Sequence, residues 1–82
     1  PASLTGEGGL DPAHSKLYRR LLEKEQWSRK EATELCSNWN LMLGGALEVI
    51  NDWSYAVVDA PVLEDTDDHI WVDLEIAKEL EG

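Results

Sequence analysis

The chain has 82 residues, 43% of them apolar and four of them Trp, which leaves room for one small core and not two. Seventeen acids against seven bases give a formal charge of −10, a balance that repels phosphate backbones, whose binding proteins use Lys and Arg to displace counterions. One Cys excludes an internal disulfide, and no apolar run reaches the roughly 18–20 residues that cross a bilayer, so the expectation is a cytoplasmic, monomeric domain without membrane insertion.

Residues 1–10 carry LTGEGG without periodicity and read as a linker, and the start at Pro1 looks like a cut inside a longer protein. Residues 11–82 then form one domain. Asp11 followed by Pro12 is a helix start: the carboxylate can accept from free backbone N–H groups, and proline's missing donor costs nothing in the first turn. Leu17, Tyr18, Leu21 and Leu22 make the apolar stripe, and the spacing predicts a first helix over 12–24.

Ser28 and Glu31 have the spacing of a capping box, with Trp27 as an apolar anchor outside it; Ala32, the usual staple partner, is too small to count. A second helix follows with Ala32, Leu35, Cys36 and Trp39 on one face, ending near Asn38 to Asn40, because Asn tolerates the left-handed exit. The third helix is the centre of the chain. Leu43, Ala46, Leu47, Ile50, Trp53 and Val57 form its stripe, Glu48, Asn51, Asp52 and Tyr55 lie off it, and Pro61 sets its end near Val58. Gly44 and Gly45 weaken its first turn by about 1 kcal/mol each relative to Ala, and read as fraying or as room for close approach of another helix.

After Pro61 the period changes. Val62, Leu63 and Glu64 read as a short strand, residues 65–68 as a turn, and residues 69–73 as a second strand with Ile70 and Val72 on one face and Trp71 on the other. Asp73 can cap a last helix carrying Ile76, Ala77 and Leu80. The fold class is therefore α+β: a small three-helix domain with a short β-hairpin, in winged-helix-like order, and a short terminal helix. DNA reading by the third helix is disfavoured, because its outer face offers Glu48, Asn51, Asp52 and Tyr55 and no base.

No nucleophile, base and orienting group share a spacing, so the chain is expected not to be an enzyme. Cys36 sits on an apolar stripe and reads as core. Glu64, Asp65, Asp67, Asp68 and His69 crowd one loop, with Asp52 and Asp59 at the base of the central helix. Clustered oxygens suit a hard cation such as Ca²⁺ or Mg²⁺, but the EF-hand register fails, with Ile70 at the sixth position and Ile76 at the twelfth when counted from Asp65. A solvated acidic turn is the other reading. Trp39 and Trp53 are expected in the core, and Trp71 at a partner surface.

Residues 27–80 resemble the C-terminal domain of tellurite-resistance TerB-like proteins. The matching features are Trp27-Ser28, the run from Gly45 to Trp53, the run from Asp59 to Asp65, and the strand from Ile70 to Asp73. The resemblance implies a non-catalytic accessory module of a larger bacterial tellurite- and stress-resistance protein, in company with its other domains and further protein partners. It also implies acidic residues suited to chelating metal, carried here by Asp52, Asp59, Glu64 and Asp65, with Asp67 and Asp68 extending the cluster. Met42-Leu43-Gly44 departs from the family pattern at the entry of the third helix.

Overall fold

The computed structural model describes residues 10–81. Among them the elements run α1 (Pro12–Leu21), β1 (Gln26–Ser28), α2 (Arg29–Ser37), α3 (Leu43–Val58), β2 (Leu63–Asp65), β3 (His69–Val72) and α4 (Leu74–Glu81). The linker expected over residues 1–10 lies outside the described residues except for Leu10, which is buried in the core.

Helix α1 starts where expected, with the Asp11 carboxylate accepting from the His14 N–H. It stops at Leu21, three residues short of the predicted end, and residues 23 and 24 close tighter turns, with Glu23 N–H bonded to the Arg20 carbonyl and Lys24 N–H to that of Leu21. Trp27 is one cause. Its indole Nε1 donates to the Leu21 carbonyl at 2.9 Å, satisfying one of the acceptors that a helix end leaves free. The Lys24 ammonium lies 4.4 Å from the Trp27 ring centroid.

Trp27 is also the middle residue of β1, a strand that sequence reading missed. Three residues are too few to display alternation, and the strand exists through partners some 43 positions away, Trp27 lying opposite Ile70. The sheet order is β1-β3-β2, all antiparallel. The element order through β3 is that of a winged helix.

The capping box forms as read: Glu31 N–H donates to Ser28 Oγ at 3.0 Å, and Ser28 N–H to Glu31 Oε1 at 3.1 Å. Helix α2 exits through Asn40 at φ 57°, with Leu41 N–H reaching back to the Cys36 carbonyl at 3.0 Å. Helix α3 spans the predicted range and ends at Asp59, also left-handed at φ 62°. Gly44 and Gly45 are exposed, and among the described residues nothing lies within 4 Å of where a Cβ would stand, so of the two readings close approach of another helix is not the one realised. Helix α4 is capped by Asp73 Oδ1, which accepts from the N–H groups of Glu75 and Ile76.

The core joins Leu17, Tyr18 and Leu21 of α1 to Ala32, Leu35 and Cys36 of α2, Ala46, Leu47 and Ile50 of α3, and Val62, Leu63, Ile70 and Val72 of the hairpin. One member of the predicted stripe leaves the interior. Val57 is exposed, and Ser54 is buried in its place with its hydroxyl donating to the Ala60 carbonyl, because the chain turns back under the last turn of α3. Trp39 and Trp53 are half-buried at the rim rather than in the core, Trp53 meeting Tyr18 edge to face at 5.2 Å between centroids.

Candidate functional site

The β2–β3 hairpin has two ends, and they differ. At the turn end, Thr66 and His69 exchange bonds: Thr66 N–H and Oγ1–H donate to the His69 carbonyl at 2.9 Å each, and His69 N–H donates to Thr66 Oγ1 at 3.1 Å. Arg29, the first residue of α2, ties this end to the helix layer. Its guanidinium bonds the Asp65 carboxylate and donates to the Thr66 carbonyl, and its N–H donates to the Asp68 carbonyl.

No three of the acidic residues singled out from the sequence converge on one point among the described residues. Asp65 faces Arg29, Asp67 and Asp68 are exposed in the turn, Glu64 lies on the outer face of β2, Asp52 is exposed on α3 and Asp59 terminates that helix. Among the described residues, no three His, Cys, Asp or Glu are grouped closely enough to hold a metal ion. His69 tilts against Trp71, 6.4 Å between ring centroids.

By the sequence spacing, Asn51 is placed off the apolar stripe of α3, on its outward side. It is half-buried and holds the edge of β2: Nδ2 donates to the Leu63 carbonyl and Oδ1 accepts from the Leu63 N–H, both at 2.9 Å. That side chain therefore occupies the place a further strand would take at Leu63. An amide pairing with a distant backbone leaves no periodic signal, so nothing in the sequence could have revealed it.

Across the sheet, directly paired residues share a face. Trp27, Ile70 and Asp65 form one row, and Gln26, Trp71 and Glu64 the next, on the opposite face. The second row is exposed. Trp71, on the central strand, keeps 42% of its surface accessible. Beside it opens a cleft of about 610 Å³ between the hairpin's open end and the start of α4. Pro61, Trp71, Leu74 and Ile76 contribute to its apolar lining, and Glu25, Glu64, Asp73 and Glu75 carry its charge; among the described residues no base lines it. Asp73 is engaged in capping α4. Glu25, Glu64 and Glu75 make no side-chain ion pair or hydrogen bond among the described residues.

Three titratable groups outside the cleft are shifted. The Ser28 N–H, joined by the Lys24 ammonium, holds Glu31 below its ordinary value. Burial pushes Asp11 up, but hydrogen bonds from the His14 side chain and N–H outweigh it and leave the carboxyl lowered. Burial pushes the Cys36 thiol up, which keeps it protonated inside the core.

The elements thus define a small α+β domain of winged-helix-like order whose exposed aromatic and apolar cleft lie on the sheet side. The chain matches the TerB-C domain over residues 2–81 and belongs to that tellurite-resistance-associated family. No curated protein and no solved structure shows a significant match to it. No helix among the described residues is long and apolar enough to cross a membrane.

Proposed function

We propose that the chain is a non-catalytic contact module, the accessory domain through which a larger bacterial tellurite- and stress-resistance protein engages another protein surface. The observation that carries this reading is Trp71, a large aromatic left open on the central strand beside an apolar cleft. Aromatic side chains anchor protein contacts because they bury much area at small entropic cost. Nucleic acid fits poorly, since the third helix and the hairpin turn both present carboxylates.

The test is a photo-crosslinking amino acid, benzoylphenylalanine, placed at position 71 in the protein within its host cell, with position 30 on α2 as the control. Discrete adducts from position 71 and none from position 30 are expected. No adduct at 71, or the same adducts from both positions, would overturn the reading.

A further inference from the structure

We infer that the Trp71 cleft takes a cationic segment of its partner protein, an Arg or Lys flanked by an aliphatic side chain. This rests on the contact-module reading and supplies its partner chemistry. Glu64 lies directly opposite Trp71 on the same face of the sheet, and Glu25 and Glu75 line the same opening, all three without a counter-charge among the described residues. A purely apolar segment would bury those carboxylates unpaired, which is unfavourable, and an acidic one would be repelled. A guanidinium over the Trp71 ring meets the negative face of the aromatic and the carboxylates at once. Leu74 and Pro61 then receive the aliphatic neighbour. The formal charge of −10 steers such a segment toward the domain.

The mode of docking follows from Asn51. Because its amide fills both hydrogen-bonding groups of Leu63, a partner cannot extend the sheet there as an added strand. At this edge, beside the cleft, recognition is left to side chains on the sheet face.

Three nonapeptides with alternating Leu and Arg, Leu and Gln, or Leu and Glu would be titrated into ¹⁵N-labelled protein. The Arg peptide is expected to give saturable shifts at the Trp71 indole N–H and at the amides of Glu64, Leu74 and Glu75. The Gln peptide should bind about tenfold more weakly, from the loss of one cation–π contact and exposed ion pairs, and the Glu peptide not at all. Trp71→Ala, which leaves the net charge unchanged, should weaken the Arg peptide by about tenfold, and the Glu64→Gln, Glu75→Gln pair by several-fold. Shifts centred on Asp67 and Asp68 would overturn the inference, because the peptide would then be following charge alone. Concentration-dependent shifts in the cleft without peptide would overturn it in favour of a second copy. Equal affinity for the Arg and Gln peptides, or none for any, would overturn the cationic preference; the contact reading is judged separately by the crosslinks from position 71.

Discussion

The two ends of the β2–β3 hairpin carry similar acid density and opposite character. At the turn, residues 65–68 include three carboxylates, but Arg29 engages Asp65 and two backbone carbonyls, and Thr66 and His69 close on one another. At the open end, three glutamates stand beside Trp71 and an apolar cleft, with no base among the described residues that line it. Charge density is thus a poor guide to a site. The better guide is where the fold leaves both apolar surface and charge uncompensated in the same place.

Asn51→Ala is the strongest way to break the open end. It strips a part-buried N–H and a carbonyl of Leu63 of their partners, and should cost about 2–4 kcal/mol in denaturant melts. Asp52→Ala, one residue along and exposed, should stay within about 0.5 kcal/mol. Equal losses from the two would mean that Asn51 does not hold the edge.

Ser28→Ala acts on the element that carries Arg29 to the turn end. Loss of the N-cap acceptor should cost about 1 kcal/mol, read from the same melts. The other half of the box has a pH signature. Glu31 is held below its ordinary value of 4.5, so its carboxylate contributes stability that is fully present above that value and is lost as pH falls through the lowered folded value. Parent and Glu31→Gln should therefore differ in melting temperature at neutral pH and converge in acid. A gap that widens on acidification would contradict the assignment.

Arg29→Ala, the direct attack on the turn end, breaks an exposed pair, with both side chains more than 40% accessible, and should cost no more than about 1 kcal/mol. The smallest effect concerns divalent ions. With Asp65 paired to Arg29 and no three ligating side chains grouped among the described residues, Ca²⁺ or Mg²⁺ should raise the melting temperature no more than NaCl at equal ionic strength, which only screens. A clear excess with the divalent ion, removed by exchanging Asp65 and Asp67 for Asn together, would make the turn a cation site after all.

Local signals in the sequence determined much of this fold. The Asp11 and Asp73 caps, the Ser28–Glu31 box, the left-handed exit at Asn40 and the length of α3 are all present, because each depends on residues within a few positions of one another. The alternation of Ile70, Trp71 and Val72 likewise fixed which side of β3 faces solvent, and so the exposure of Trp71. Tertiary structure alone decided the rest. Strand β1 exists through a partner some 43 residues away, the Asn51 amide is spent on Leu63, Ser54 replaces Val57 inside, and Arg29 captures Asp65. The cleft belongs to this second group: Glu25, Glu64 and Glu75 are unremarkable acids in the chain, and they share one opening only because β1, β2 and α4 are brought together around Trp71. Periodicity reports which face of an element is buried, but which groups meet across elements is set by packing and backbone hydrogen bonds between distant segments, and these leave no mark on neighbouring residues.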